Sequence, residues 1–319
     1  MVSLHDIRAA QSLLSGVAVR TPLLAWTAPA EQRKLFLKLE NLQPIGAFKL
    51  RGAYNKIASL TADERRRGVI SYSSGNHAQG VAYAARALGV KVIIVMPSNA
   101  PRNKLEATAA LGAEIVTVGP ASEERRERAE QLAAEHGYVI VPPYNDEKII
   151  AGQGTIGLEI LEDLPNVETV LAPVGGGGLI SGISAAIKLT NPAIQVIGVE
   201  PELAGDARAS LRAAHIVPFA AEQVSQTIAD GLRTQSLGEI NFAHIRAYVD
   251  DIVYVKEEEI REATRALSAN PKTIAEPSGA VSVAAFLFHS AELPVTTINV
   301  AVISGGNIDP QFLAEIRAS

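Results

Sequence analysis

Gly68-Val69-Ile70-Ser71-Tyr72-Ser73-Ser74-Gly75-Asn76-His77, continuing as a helix to Leu88 and followed by Val92-Ile93-Ile94-Val95-Met96, is the stretch that decides the fold. A short apolar run, a turn of small polar residues, about a dozen helical positions and a second apolar run make a strand–helix–strand unit. Both runs are apolar without alternation, so each strand is covered on both faces, which is the mark of a parallel sheet. The rhythm continues downstream. Residues 101–111 read as a helix with proline near its start, 114–118 as a strand, 122–136 as a charged helix closed by Gly137, and 138–141 as a strand that stops at Pro142-Pro143. A second block repeats it, with helices expected at 157–164, 179–189, 257–268 and 278–289 and strands at 169–173, 195–199, 251–255 and 297–302. A short helix follows Asp309. Upstream, 35–40 reads as one more strand. The class is α/β with parallel βαβ units.

The chain has 319 residues, 47% of them hydrophobic and 20% charged, with a net charge of -5. That length makes two domains or one large α/β body. The charge carries no basic footprint for nucleic acid. There is no cysteine, which excludes disulfides, thiolate nucleophiles and thiolate metal centres and fits a reducing compartment. The N-terminus lacks the basic and apolar regions of a signal peptide, and no apolar run is long enough to span a bilayer. A cytoplasmic protein with no membrane partner is expected. The mixed-sign run Glu123-Glu124-Arg125-Arg126-Glu127-Arg128 reads as a solvated helix face.

Five segments could carry chemistry. Asn41-Leu42-Gln43-Pro44-Ile45-Gly46-Ala47-Phe48-Lys49-Leu50-Arg51-Gly52-Ala53 sets a lysine among apolar residues at a helix start. Such surroundings disfavour the ammonium and lower its pKa toward the range of a Schiff-base lysine, although a solvated lysine is the plainer reading. Ser73-Ser74-Gly75-Asn76-His77 joins a strand to a helix, where amides and hydroxyls suit a carboxylate; an ordinary N-cap is the alternative. Pro173-Val174-Gly175-Gly176-Gly177-Gly178-Leu179 also joins strand to helix. Four glycines let successive amides approach a phosphate, whereas a merely flexible turn would not need four. The loop lacks both the GxGxxG and the Walker pattern. Ile303-Ser304-Gly305-Gly306-Asn307 reads alone as a common turn. Glu200, the Ala204 carbonyl and Asp206 would suit Mg²⁺ or Ca²⁺, or are solvated loop carboxylates.

Taken together, these segments resemble the fold-type-II pyridoxal-phosphate enzymes, specifically the serine/threonine dehydratase and serine racemase group. The resemblance rests on Phe48-Lys49 with Arg51-Gly52-Ala53, Ser73-Ser74-Gly75-Asn76-His77, the tetraglycine loop and Ser304-Gly305-Gly306-Asn307, and spans nearly the whole chain. It implies two open, mostly parallel twisted sheets with helices on both faces, like tryptophan synthase β. Residues 1–66 and 146–319 would form a large cofactor-binding domain, and 67–145 a small mobile domain closing on substrate. The implied cofactor is pyridoxal 5'-phosphate. Lys49 would carry it and move protons at Cα and Cβ, beside Phe48. Asn76 would bond its phenolic oxygen, Gly175, Gly176, Gly177, Gly178 and Leu179 its phosphate, and Ser304 would face its pyridine nitrogen. Ser73, Ser74, Asn76 and His77 would bracket the substrate carboxylate, with Asn145 approaching from the facing edge.

Ser74 stands where many dehydratases carry alanine and the racemases a serine that returns a proton opposite the lysine. Glu200, Ala204 and Asp206 match the divalent-metal site of the racemase-like subgroup, for Mg²⁺, Ca²⁺ or Mn²⁺. The expected activity is an ammonia-lyase acting on L-threonine and L-serine by β-elimination, with racemisation as a side activity. Serine racemase or threo-3-hydroxyaspartate dehydratase as the main activity is the alternative, and a cysteine-synthase-like β-replacement enzyme a more distant one. A non-catalytic binder on the same scaffold would lack the lysine, and a nicotinamide dehydrogenase would carry the glycine fingerprint absent here. A homodimer is expected. With the sequence ending at Ser319, neither a regulatory C-terminal domain nor end-product feedback is expected.

Overall fold

In the computed structural model, residues 1–26, 33–73, 75–100, 102–119 and 122–318 are described. Ser74 therefore lies outside the described residues. The strands are β1 (Leu23–Trp26), β2 (Lys34–Leu39), β3 (Val69–Tyr72), β4 (Val92–Pro97), β5 (Glu114–Val118), β6 (Val139–Ile140), β7 (Thr169–Pro173), β8 (Gln195–Pro201), β9 (Asp251–Val255) and β10 (Ile298–Ile303). One sheet has the order β1-β2-β10-β7-β8-β9 and the other β5-β4-β3-β6. Every pairing is parallel except β1 with β2 at the edge of the larger sheet. The expected class of two mostly parallel sheets covered by helices is what forms. The unbroken apolar runs have the expected cause: β4 and β7 are buried at every position.

The sequence reading erred most at one helix. It was expected at 157–164 and instead runs Glu147–Asp163, capped by Asp146, whose side chain accepts from the Lys148 and Ile149 amides. Its glycines mislead because their role is tertiary. A Cβ on Gly152 would lie 2.7 Å from the Arg51 carbonyl oxygen, and one on Gly154 would lie 3.0 Å from that of Gly182. Close approach to helices Lys49–Ala58 and Gly178–Lys188 outweighs the roughly 1 kcal/mol that glycine costs in a helix. β1 and helices Asp206–Ala213 and Glu239–Tyr248 were not foreseen.

A buried charge cluster ties these helices to the larger sheet. Arg51, 1% exposed, makes a two-bond fork to Glu40 (2.8 and 2.9 Å) and another to Glu159 (2.7 and 2.8 Å). Lys38 donates to Glu159 and to the Thr21 carbonyl, both at 2.6 Å. Burial alone would raise Glu40, but the Arg51 guanidinium holds it below the usual carboxylate range. Two cations and two anions thus balance, from β2, the turn after it and two helices.

Candidate active site

The candidate segments leave the C-terminal ends of the strands, the edge at which open α/β sheets bind ligands. Lys49 begins helix Lys49–Ala58 and is placed by pairing with another candidate segment. The Phe48 amide donates to the Ser304 carbonyl (3.0 Å) and the Gly306 amide to the Gly46 carbonyl (2.9 Å), making an antiparallel bridge between Ala47 and Gly305. Gly46 has φ +72, and a Cβ there would sit 2.3 Å from Asn307 Oδ1, so both backbone and space require glycine. Lys49 Nζ donates to the Pro143 carbonyl at 2.8 Å and lies 5.2 Å from the centre of the Phe48 ring. Burial pushes the amine down to about 8. A substantial fraction is therefore unprotonated, and nucleophilic, near neutral pH.

β3 delivers the second segment. Ser73 Oγ accepts from the Gly75 amide (3.2 Å), and Asn76 opens helix Asn76–Leu88. His77 Nε2 lies 3.0 Å from the Val141 carbonyl, which also accepts from Ser71 Oγ at 2.7 Å. A carbonyl only accepts, so the ring carries its hydrogen on Nε2. Nδ1 is then a bare acceptor, buried and unpartnered among the described residues. Burial, with the nearby Lys49 charge, lowers this histidine to about 3, so it is neutral. A neutral ring with its only N–H committed cannot hold an anion through its side chain.

β7 delivers the glycines. Gly177 has φ +91, and helix Gly178–Lys188 starts immediately after it. A Cβ on Gly176 would fall 2.4 Å from the Tyr144 ring, and one on Gly178 2.9 Å from Tyr144 Cβ. Among the described residues the Gly175, Gly176 and Gly177 amides have no acceptor. Free amides at a helix N-terminus, in a channel too narrow for side chains, fit a phosphate. Ser304 Oγ, buried, stands 3.5 Å from the Ser278 carbonyl. Asn145 has its side-chain oxygen engaged by the Ile240 amide at 3.0 Å. It lines a cavity of about 280 Å³ with Tyr72, Tyr144 and Leu237.

Two residues escaped the sequence reading. Glu276 Oε1 accepts from Asn76 Nδ2 at 2.6 Å, and burial, with Asp230 nearby, raises its carboxyl to about 7. A glutamate before Pro277 at a helix start is too ordinary a pattern to mark it. Tyr144, the lid of the glycine channel, had no signal beyond following two prolines.

Glu200, near the end of β8, and Asp206, beyond it, come together, both 1% exposed. Glu200 accepts from the Ala207 (3.2 Å) and Arg208 (2.7 Å) amides. Neither Asp206 carboxylate oxygen has a hydrogen bond of full geometry among the described residues; burial lifts the group to about 7 against the weaker pull of its own and the Leu237 amide. Burial and Asp206 push Glu200 well above its ordinary value. Two hard oxygens on an unpartnered buried carboxylate fit a divalent cation. No group of three or more His, Cys, Asp or Glu side chains among the described residues could hold a metal.

A buried lysine, a glycine-lined helix start and a strand-end serine gathered at one sheet edge are compatible with a pyridoxal-phosphate enzyme. The family model for pyridoxal-phosphate dependent enzymes matches residues 14–305, and the chain belongs to that family. It is 48% identical over 321 residues to the L-threonine ammonia-lyase of Thermotoga maritima, covering 99% of this chain and 78% of that protein. It is 41% identical over 318 residues to the catabolic L-threonine dehydratase of Escherichia coli K12, covering 99% and 96%. Maize serine racemase superposes with a TM-score of 0.92 at 36% identity, covering 98% of this chain and 96% of that one. No helix among the described residues is long and apolar enough to cross a membrane.

Proposed function

We propose that the protein is an ammonia-lyase that converts L-threonine, and L-serine, to the 2-oxo acid and ammonia. Similarity over nearly its full length to two proteins named for threonine, at 48% and 41% identity, carries this reading. Bound at Lys49, pyridoxal phosphate supplies the electron sink that makes the Cα proton removable. In this assignment Lys49 would hold the cofactor, and its free base would take the Cα proton of the substrate. The Gly175, Gly176, Gly177, Gly178 and Leu179 amides hold the phosphate. Phe48 flanks the lysine, Asn76 donates to the phenolic oxygen and Ser304 faces the pyridine nitrogen. Ser73, Ser74 and Asn76 bracket the substrate carboxylate, and His77 contributes its main-chain amide rather than its committed ring. Asn145, its oxygen occupied, has only its amide nitrogen to offer. Loss of the Cα proton and the β-hydroxyl as water leaves an enamine, whose hydrolysis releases ammonia.

The similarity to maize serine racemase favours racemisation as a second activity, with Ser74 the base on the face opposite Lys49. Residues 67–145 form the unit that closes on the substrate, in a cytoplasmic homodimer. Glu200, the Ala204 carbonyl and Asp206 hold Mg²⁺ or a similar divalent cation, with waters completing its shell.

A panel of L-threonine, L-serine and 3-hydroxyaspartate, assayed together for 2-oxo acid and D-amino acid, tests the reading. Threonine should yield oxo acid, and Ser74→Ala should suppress D-amino acid while sparing elimination. No oxo acid from any of the three overturns the assignment.

A further inference from the structure

Asn76 is held at both ends, and the hydrogen bonds alone decide which way its amide faces. The Ile45 carbonyl can only accept, so the Asn307 atom 2.8 Å from it must be the nitrogen, Nδ2. The same nitrogen donates to Asn76 at 2.8 Å, so the Asn76 atom it meets is Oδ1. That leaves Asn76 Nδ2 facing Glu276 Oε1 at 2.6 Å. The nitrogen carries two hydrogens, and the carboxyl takes one. The other has no acceptor among the described residues. This bond does not depend on the charge of Glu276, because a protonated carboxyl still has a carbonyl oxygen to accept with.

The backbone is shaped around the pair. A Cβ on Gly305 would lie 2.5 Å from Glu276 Oε1 and 3.1 Å from Asn76 Nδ2. Any side chain there would wedge between the carboxyl and the amide. Gly305 also follows Ser304 and forms the bridge that places Lys49. The carboxyl, the amide, the serine and the lysine therefore share one short stretch of main chain. The Glu276 amide donates to the Gly305 carbonyl at 3.1 Å, which sets the carboxyl's own position.

Resting on the reading of Asn76 given above, we propose that Glu276 is a positioning residue for the phenolic oxygen of pyridoxal phosphate, acting by fixing the amide of Asn76 so that its free N–H faces that oxygen. Without Glu276, Nδ2 is a buried donor lacking its acceptor, and the amide, held at one end only, can swing out of line with the cofactor. The phenolic oxygen then loses a donor that favours its anionic form. The consequence is spectroscopic: the visible band of the bound cofactor weakens relative to its near-ultraviolet band.

Holoenzymes of Asn76→Ala, Glu276→Ala, Glu276→Gln and Glu276→Leu are compared for the ratio of the two bands and for cofactor affinity by dialysis. Far-ultraviolet circular dichroism checks the fold of each. Asn76→Ala and Glu276→Ala should lower the ratio in the same direction and weaken cofactor binding by about tenfold, the worth of one hydrogen bond. Glu276→Gln keeps an acceptor oxygen and should restore most of the ratio. The Asn76→Ala/Glu276→Ala double variant should shift no further than Asn76→Ala alone. If Asn76→Ala leaves the ratio unchanged, the reading of Asn76 fails and takes the inference with it. If Asn76→Ala shifts the ratio and Glu276→Ala does not, or if the double variant is additive, the inference alone is overturned. Should Glu276→Ala not fold, Glu276→Leu, which fills the space without an acceptor oxygen, takes its place, and an unchanged ratio there overturns the proposal equally.

Discussion

Replacing Arg51 with methionine keeps the apolar stem and removes the one cation shared by Glu40 and Glu159. In the native protein the cluster of Lys38, Arg51, Glu40 and Glu159 is neutral, and none of its side chains is more than 8% exposed. After the change Lys38 faces two buried carboxylates, and Glu40 keeps only Thr21 Oγ1 (2.6 Å) and Gln43 Nε2 (3.1 Å). Removing one partner of a buried ion pair destabilises by about 3–5 kcal/mol because the remaining charge is uncompensated. For a chain of this size that corresponds to a fall in Tm of roughly 4–8 °C. Thermal melts of cofactor-saturated protein would show it. The cause can be isolated with Glu40→Gln, which removes the stranded charge. Arg51→Met should be less damaging in that background by at least about 1 kcal/mol, within the usual range of coupling between contacting residues. Equal damage in both backgrounds would refute the charge explanation and leave lost packing of the arginine stem as the reason.

Three further outcomes follow from the site. Because the Lys49 amine is lowered to about 8, the rate of pyridoxal phosphate uptake by the apo protein should rise with pH, as the free base grows, with its midpoint near 8. A midpoint near 10, as for a solvated lysine, would contradict it. Gly176→Ala puts a methyl group against the Tyr144 ring and should weaken cofactor binding about tenfold, from about 1–3 kcal/mol of overpacking. Trimming Tyr144 to alanine should relieve this, and no relief would locate the defect elsewhere. Asp206→Asn replaces an unpartnered buried carboxylate, so it should raise Tm in EDTA, whereas Mg²⁺ should raise the wild type and not the variant. A wild-type Tm indifferent to both chelator and Mg²⁺ would leave Glu200 and Asp206 without a cation.

What could be read from the sequence was chemistry that sits next to itself along the chain. Four glycines after a strand need no distant partner to be recognised, and neither do apolar runs buried on both faces. What could not be read were pairings set by tertiary closure. Glu276 meets Asn76 from 200 residues away, and Arg51 meets Glu159 from 108. Neither member of either pair carries a local mark of the other. The helix Glu147–Asp163 was half missed for the same reason: its glycines are spaced for neighbouring helices, which a local propensity does not see.

The crossing from the smaller sheet to the larger shows how much of the site can hide in an ordinary sequence. Pro142 and Pro143 read as the end of a strand. Proline has no N–H, so this stretch of main chain offers acceptors without competing donors. Just before them, the Val141 carbonyl takes Ser71 Oγ and His77 Nε2 and fixes the tautomer of the ring. The Pro143 carbonyl takes Lys49 Nζ. Tyr144 then covers the glycine channel, and Asn145 caps the helix Glu239–Tyr248 through the Ile240 amide. Four residues of one extended segment thus reach the lysine, the histidine, the glycine channel and the neighbouring helix. A neutral acceptor suits the lysine better than a carboxylate would. A carboxylate at 2.8 Å would stabilise the ammonium and raise the pKa that burial has lowered, whereas a carbonyl orients the amine and leaves its free base accessible near neutral pH.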